Sequence, residues 1–229
     1  MYQRYTKRIL DFFAALIAIC ILSPFLILFT IIGAFAMRGN PFFRQPRPGK
    51  DGKIFFLLKF RSMNNRRDKS GNLLPDEKRL TAYGRLIRAL SIDELPSLFN
   101  ILCGDLSLVG PRPQLVLDMV FMNERERQRH SVRQGLTGLA QVSGRNAISW
   151  DEKFAYDLQY IEHITFWGDL KILLRTVGCV LDRRDVSQEG MATAEDFCDY
   201  LLKNGRLDQA TYDAGKQEAA RLIAEAKKR

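Results

Sequence analysis

The stretch Leu-Ser-Ile-Asp-Glu-Leu-Pro at residues 90–96 decides how the rest of the chain is interpreted, because it sets two adjacent carboxylates, Asp93 and Glu94, at the predicted start of a helix. Ser91 and Glu94 have the spacing of a capping box. The positive end of a helix dipole favours ionised carboxylates and bound anions at such a start. The helix is expected to end near Gly104, after apolar residues at helical spacing, namely Leu95, Leu98, Phe99 and Leu102. Taken alone, the stretch is explained somewhat better by two carboxylates that only cap a helix than by a catalytic pair.

The composition predicts a folded protein with an anionic partner. The 229 residues, 46% of them hydrophobic, are enough for one sizeable domain with attachments. A net charge of +9 and a pI near 9.5 indicate nucleic acid, an acidic membrane surface or a phosphorylated substrate. The four cysteines lack the spacing of a zinc site or a disulfide framework, so a reducing compartment is expected. With two histidines in the chain, a histidine-rich metal site is not expected.

An uncharged segment of 26 residues, 12–37, is long enough to cross a bilayer, for which about 20 apolar residues suffice. Ser23 and Pro24 fall near its middle, where proline predicts a kink or break. Basic residues flank both ends, and the positive-inside tendency would put both flanks on the cytoplasmic side. We therefore favour a re-entrant helix hairpin, with its break at Ser23 and Pro24, over a kinked span. The predicted membrane segment comprises residues 1–39.

Lys59 and Arg112 occur in segments that suit the binding of phosphate. Lys59 lies in a predicted strand at residues 54–63, and Arg88 closely precedes the two carboxylates. Arg112 has a proline on each side, which restricts the backbone and would hold the guanidinium in one place. For Lys59, a solvated strand edge is the alternative interpretation.

A glycine-rich segment, residues 135–145, could bring backbone N–H groups close to a phosphate, or it could be an ordinary strand and turn. Its candidate substrate-binding side chains are Gln141 and Arg145. Farther on, Asp169 is predicted either to cap a helix or to supply a third carboxylate near the site. Residues 40–185 would form a cytosolic catalytic domain, followed by a C-terminal helical hairpin at residues 186–229.

Together these motifs resemble the monotopic phosphoglycosyl transferases, also called bacterial sugar transferases. The motifs follow the order of that family over about residues 1–185, and the C-terminal hairpin lies outside the resemblance. They are Ser23-Pro24, Lys59-Phe-Arg-Ser-Met63, Ser91-Ile-Asp-Glu-Leu-Pro96, Leu106-Ser-Leu-Val-Gly-Pro-Arg-Pro113, Gly135-Leu-Thr-Gly-Leu-Ala-Gln-Val-Ser-Gly-Arg145 and Asp169.

The resemblance implies a helix-rich α/β fold with short strands and long loops, and a re-entrant membrane helix hairpin. It also implies transfer of a sugar 1-phosphate from a UDP-sugar to polyprenyl (undecaprenyl) phosphate, with release of UMP. Such a monotopic enzyme would act on the cytoplasmic face of the bacterial inner membrane, in contact with membrane lipid, and would start glycan assembly.

The same resemblance implies roles for individual residues. Asp93 would be the nucleophile that forms a phosphosugar-aspartate intermediate, and Glu94 would bind Mg²⁺. Asp169 would be an essential acidic residue. The anion-binding groups would be Lys59, Arg88, Arg112 and Arg145.

Two other functions use the same residues. The first is a non-catalytic, membrane-anchored binding module in which Asp93 and Glu94 are caps. The second is a glycosyltransferase that acts directly through a ternary complex, or a metal-dependent nucleotide-sugar hydrolase. Nucleic acid is not expected as a partner, because the basic residues are dispersed among proline and glycine loops without a reader motif. A homodimer is compatible with the sequence.

Overall fold

A computed structural model describes residues 2–144, 148–182 and 195–228, and within these residues the protein is helix-rich with short strands, as predicted. The α-helices are α1 (Lys7–Met37), α2 (Asp76–Arg79), α3 (Ala82–Ala89), α4 (Leu98–Cys103), α5 (Val116–Phe121), α6 (Glu124–Arg127), α7 (Leu139–Ser143), α8 (Trp150–Glu162), α9 (Phe166–Asp182), α10 (Phe197–Lys203) and α11 (Gln209–Lys227). The strands are β1 (Phe42–Pro48), β2 (Ile54–Phe60), β3 (Ser107–Val109) and β4 (Gly135–Thr137). Shorter helical turns occur at Tyr2–Thr6, Lys50–Gly52, Ile92–Ser97 and Gln128–Ser131.

The apolar N-terminal segment forms one continuous helix, α1, which runs through Pro24. Because Pro24 has no N–H, it leaves the carbonyl of Cys20 without its usual backbone donor. The Ser23 hydroxyl donates to that carbonyl at 2.8 Å. A serine side chain can thus satisfy a carbonyl freed by proline in an apolar helix. The predicted interruption at Ser23 and Pro24 is therefore not confirmed.

Both halves of α1 pack against the rest of the protein. In the first half, the fully buried Ala15 contacts a cluster that includes Ile101. In the second half, Leu26 packs with Phe60 and Ile87. The helix is long and apolar enough to cross a membrane, and its outer side exposes large apolar residues, namely Ile9, Phe13, Ile17, Ile21, Phe25, Ile27, Leu28, Ile31 and Phe35. Such a surface is suited to lipid, so α1 associates the protein with a membrane.

Buried polar contacts fasten the start of α1 to β3 and α9. The Lys7 ammonium donates to Asp169 Oδ2 at 2.7 Å, and the Tyr160 hydroxyl donates to Asp169 Oδ1 at 2.8 Å. One turn along α1, Asp11 accepts a hydrogen bond from the Ser107 hydroxyl. The apolar helix is thus anchored by charges at its N-terminal end.

We expect Asp169→Asn to lower the free energy of unfolding by about 3 kcal/mol, because it leaves a buried ammonium with a weakened partner. The Lys7 side chain is 11% exposed and that of Asp169 6%, so water does little to replace the lost charge. Chemical denaturation in detergent measures the change. The control is Asp213→Asn, whose pair with Lys216 is more than half exposed and should matter by less than about 0.5 kcal/mol. Equal stability of the two variants would contradict the assignment.

Strands β1 and β2 form an antiparallel ribbon that places Lys59 beside the core. Side chains alternate along a strand, so Phe55, Leu57 and Lys59 share one face of β2. Phe55 and Leu57 bury that face in the core. Arg47 of β1 lies directly opposite Phe55, so its side chain emerges on the same face. The ribbon therefore presents two cations at the edge of its buried side.

Strands β3 and β4 pair in parallel, with Ser107 opposite Gly135. The loop that follows β3 carries Arg112, and the Gly135 N–H donates to the carbonyl of Pro111 at 2.8 Å. This pairing brings the glycine-rich segment beside the Pro-Arg-Pro loop.

The two predicted C-terminal helices are present as α10 and α11. Ala219 of α11 packs against Val116 and Met119 of α5, and Phe197 of α10 packs against Phe154. The predicted domain boundaries at residues 39 and 185 stay a prediction.

Candidate active site

Asp93 and Glu94 lie in a 3-10 turn, Ile92–Ser97, rather than in the first turn of an α-helix. Pro96 explains the difference, because proline lacks an N–H and disfavours the α conformation in the residue before it. The regular helix, α4, begins only at Leu98. The predicted helix thus starts after the two carboxylates, which project from the turn that leads into it.

The predicted capping box is wrong. The Ser91 side chain makes no capping hydrogen bond, and the residue has φ 53°, in the left-handed region. Glu94 faces away from Ser91, toward two cations described below. The predicted helix end is confirmed, since Gly104 caps α4 with φ 90°.

Glu94 is the centre of an ion-pair cluster that joins three separate elements. Its Oε1 accepts from the Lys59 ammonium at 2.8 Å and from Arg112 Nη2 at 2.7 Å. The Lys59 and Glu94 side chains are 15% and 21% exposed, whereas that of Arg112 is 43% exposed. Lys59 and Glu94 therefore form the floor of the site, and Arg112 borders its open side.

The ionisation states of the two carboxylates differ. Burial, with the Glu94 carboxylate as the second cause, raises the pKa of Asp93 to about 6, against the opposing charges of Lys59, Arg88 and Arg112. Burial also acts to raise the pKa of Glu94, but Arg112 and Lys59 hold it well below its usual range. Glu94 is thus permanently ionised near neutral pH, whereas Asp93 changes its protonation state at a pH close to neutral.

The pKa values of Lys59 and Arg112 also shift in opposite directions. Burial lowers the pKa of the Lys59 ammonium, although Glu94 opposes this. Glu94 raises the pKa of the Arg112 guanidinium. With Arg88, whose charge also lowers the pKa of Asp93, three cations lie near the two carboxylates, an arrangement typical of sites that bind further negative charge.

The other predicted site residues lie in different places. Arg88 donates from Nε to the Ser62 hydroxyl at 2.9 Å, and its charge lowers the pKa of Asp93. The Gln141 amide donates to the Leu136 carbonyl at 3.1 Å. Arg145 lies outside the described residues.

Asp169 belongs to the buried network at the start of α1 rather than to the Glu94 cluster. It does not cap its helix either. The Thr165 hydroxyl accepts from the Gly168 N–H at 3.0 Å and so caps α9. A catalytic role for Asp169 stays a prediction.

The sequence did not predict a buried ion pair behind the Pro-Arg-Pro loop. Arg129 Nη2 lies 2.6 Å from Asp157 Oδ2, with the side chains 0% and 4% exposed. The same Nη2 donates to the Arg112 carbonyl at 2.7 Å. Residues 118–133, which include Arg129, are rich in charge, and such a composition is typical of a solvated helix. One signal was available, since Asp157 falls on the apolar face of α8 with Phe154 and Tyr160, where a carboxylate requires a partner.

An apolar groove of about 260 Å³ lies between α1, the β-ribbon and the turn that carries Asp93. Pro96 of that turn forms part of its wall, three residues from Asp93. The Thr30 hydroxyl in the wall donates to the Leu26 carbonyl of its own helix. The lining residues are Leu26, Ile27, Thr30, Ile31, Phe42, Phe60, Pro96 and Phe99.

Asp93 and Glu94 are the carboxylates of this site that could hold a cation. Among the described residues there is no group of three or more His, Cys, Asp or Glu suited to a metal ion. Mg²⁺ in phosphoryl-transfer sites usually takes one or two carboxylates and completes its shell with substrate phosphates and water. Glu94 Oε2 has a long contact of 3.5 Å with Arg112, which leaves it lone-pair capacity. The donor set therefore fits Mg²⁺ held together with a substrate.

A carboxylate of raised pKa among cations, with an apolar groove beside it and a lipid-facing helix, is typical of a membrane-associated enzyme that binds a phosphorylated substrate. A sequence model of the family described as "Bacterial sugar transferase" matches residues 2–183. The chain therefore belongs to the bacterial sugar transferase family.

Three relatives illustrate the similarity. The chain is 53% identical over 192 residues to "Uncharacterized sugar transferase EpsL" of Bacillus subtilis, covering 83% of this chain and 95% of that protein. It is 40% identical to the "UDP-glucose:undecaprenyl-phosphate glucose-1-phosphate transferase" of Caulobacter vibrioides, over 76% of this chain and 69% of that protein. It is 36% identical to the "UDP-N-acetylgalactosamine-undecaprenyl-phosphate N-acetylgalactosaminephosphotransferase" of Aeromonas hydrophila, over 77% of this chain and 44% of that protein.

Proposed function

We propose that the protein transfers a sugar 1-phosphate from a UDP-sugar to undecaprenyl phosphate, releases UMP and so begins the assembly of a membrane-bound glycan. The observation that carries this proposal is Asp93, a carboxylate with a pKa of about 6 beside the Glu94 ion-pair cluster. The names of the Caulobacter and Aeromonas relatives support it, because both contain a UDP-sugar and undecaprenyl phosphate.

The reaction proceeds in two displacements. An Asp93 carboxylate oxygen attacks the phosphorus attached to the sugar, the bond to the bridging oxygen breaks, and UMP leaves with that electron pair. A phosphate oxygen of the acceptor then attacks the same phosphorus and displaces Asp93, which yields undecaprenyl diphosphate sugar. Lys59, Arg88 and Arg112 neutralise charge as the anionic nucleophile approaches an anionic diphosphate.

The pocket under Arg112 is about 10 Å³, room for about one water molecule. A nucleotide sugar therefore lies over the open side that Arg112 borders, not beneath it. Mg²⁺ held by Glu94, with Asp93 as its neighbour, would supply further charge neutralisation at the phosphates.

The acceptor explains the groove and the membrane helix. Undecaprenyl phosphate keeps its chain in lipid and its phosphate at the surface, and the groove leads an apolar chain from the face of α1 to the turn of Asp93. We place the enzyme at the bacterial inner membrane, monotopic, with the site and both ends of the continuous helix α1 on the cytoplasmic face. The basic flanks of α1 and its contacts with the domain along both halves support this placement.

The test is UMP release from a panel of UDP-sugars by protein in lipid nanodiscs, with and without undecaprenyl phosphate and Mg²⁺. Release that depends on acceptor, and exchange of labelled UMP into the donor without acceptor, are the expected results of two displacements. Acceptor-dependent release without exchange would contradict the covalent intermediate. Release without transfer to any acceptor would instead identify a nucleotide-sugar hydrolase.

We expect the first displacement to rise with pH through about 6 and to level off above 7, because Asp93 must be ionised to attack. The measurement is UMP release in a single turnover without acceptor, which keeps the titration of the acceptor phosphate out of the profile. In Arg88→Gln the rising limb should move to higher pH, since the charge of Arg88 lowers the pKa of Asp93. A flat profile from pH 5 to 8 would contradict this assignment.

A further inference from the structure

The loop that carries Arg112 is held by an arginine on each side of that residue. Arg129 Nη2 donates to the carbonyl of Arg112 at 2.7 Å, and Arg47 Nη1 donates to the carbonyl of Pro113 at 3.1 Å. Two consecutive peptide units are therefore fixed from outside the loop. The prolines restrict φ at their own positions, but they do not fix where the loop lies relative to Glu94.

The two holding arginines are not equivalent. The charge of Arg129 is matched by Asp157 in a fully buried pair, which makes it a structural contact. Among the described residues, Arg47 forms no salt bridge within 4.0 Å, and its Nη2 donates to the neutral Gln45 amide oxygen at 2.8 Å. Arg47 lines the same small pocket as Lys59, Glu94 and Arg112.

Several charges face Arg47 from the elements around it. Arg112 disfavours its charge, while Glu94, Asp118 and Asp196 favour it. Burial lowers the pKa of Arg47 to about 10, so it stays protonated at neutral pH. Because Arg47 donates from two nitrogens, Nη1 to the Pro113 carbonyl and Nη2 to Gln45 of its own strand, it ties the loop to β1 with charge-assisted hydrogen bonds.

We infer that Arg47 is a positioning residue for phosphate binding: it holds the Pro113 carbonyl and thereby keeps the Arg112 guanidinium over the Glu94 side of the site. This inference rests on the proposed function. The part that Arg47 plays is indirect, so its effect on the reaction passes through Arg112.

The experiment is a double-mutant cycle on kcat/KM for the UDP-sugar, with Arg47→Met, Arg112→Met and the double variant. Arg47→Met alone should lower kcat/KM at least about tenfold, mainly through KM for the donor. In the Arg112→Met background the same change should cost less than about twofold, because its target is already absent. Arg47→Lys, which keeps the charge and one donor, should stay within about threefold of wild type.

The matched control is Arg44→Met on the same strand. Arg44 is exposed and lies over the Phe56 ring, on the opposite face of β1 from Arg47, so its loss removes the same charge without touching the loop. It should leave kcat/KM within about twofold of wild type.

Losses that multiply in the double variant would overturn the inference, because they would mean that Arg47 acts independently of Arg112. If Arg47→Met does not fold, the cycle is run with Arg47→Lys, whose smaller loss must likewise vanish in the Arg112→Met background. A wild-type protein that releases no UMP from any donor would instead defeat the proposed function. If the wild type is active but the two losses multiply in the double variant, only the role of Arg47 is contradicted and the proposed function stands.

Discussion

Asp93→Asn should lower acceptor-dependent UMP release at least about a thousandfold and abolish the covalent phosphosugar adduct. The amide has nearly the shape of the carboxylate but no anionic oxygen to attack phosphorus. The adduct is sought by acid quench and intact-protein mass spectrometry after a single turnover without acceptor. Asp105→Asn is the matched control, since this exposed carboxylate follows α4 and lies outside the ion-pair cluster.

The same substitution should leave the melting temperature unchanged or raise it. The folded-state pKa of Asp93 lies above its ordinary value, so its ionisation opposes folding, and this cost is fully present above about pH 6. Asn removes it. Loss of activity with retained stability separates a nucleophile from a helix cap, whose removal would lower stability. Full activity of Asp93→Asn would sink the nucleophile assignment, and a lower melting temperature would show that Asp93 stabilises its turn, as a cap does.

Local signals in the sequence predicted several elements but not how they meet. The alternation of apolar residues with Lys59 predicted β2, and Gly104 predicted the end of α4. The capping-box prediction failed because it weighed Ser91 and Glu94 but not Pro96, which excludes a regular helix at that point. The ion pairs of Glu94 with Lys59 and Arg112 join residues 35 and 18 positions apart, so only tertiary packing decides them. The resemblance to a known family pointed to these three residues, but no local sequence pattern could have predicted that they form ion pairs with one another.

Two further differences between the sequence-based predictions and the structure also arise from a contact partner that was not foreseen. Pro24 correctly marked a carbonyl without a donor, but a neighbouring hydroxyl supplies one, so the helix continues. Arg129 looked solvated because its segment is rich in charge, whereas Asp157 takes it into the core. In both cases the hydrogen-bond partner of one polar group decides the local structure. Such a partner is found only by asking where each polar group would make its hydrogen bonds.

Glu94→Gln should lower UMP release by about a hundredfold or more and raise the Mg²⁺ concentration needed for half-maximal rate. Gln keeps the shape of the side chain but cannot pair with the Lys59 ammonium or the Arg112 guanidinium as an anion. We expect a loss of about 2 kcal/mol in the free energy of unfolding, because two partly buried cations lose their shared carboxylate. Glu124→Gln, on the exposed side of α6, is the control and should change none of these three quantities.

The pH profile of Glu94→Gln separates this role from simple destabilisation. After burial, the Glu94 charge is the largest cause that raises the pKa of Asp93, and Lys59 and Arg112 act against it. Removal of that charge leaves both cations acting on Asp93 alone, so the rising limb of the residual activity should move below pH 6. In a variant that is only partly misfolded, the rate would fall at every pH, and the rising limb of the pH profile would stay at the same pH. A limb that stays near 6, together with an unchanged Mg²⁺ requirement, would show that Glu94 neither tunes Asp93 nor binds the metal.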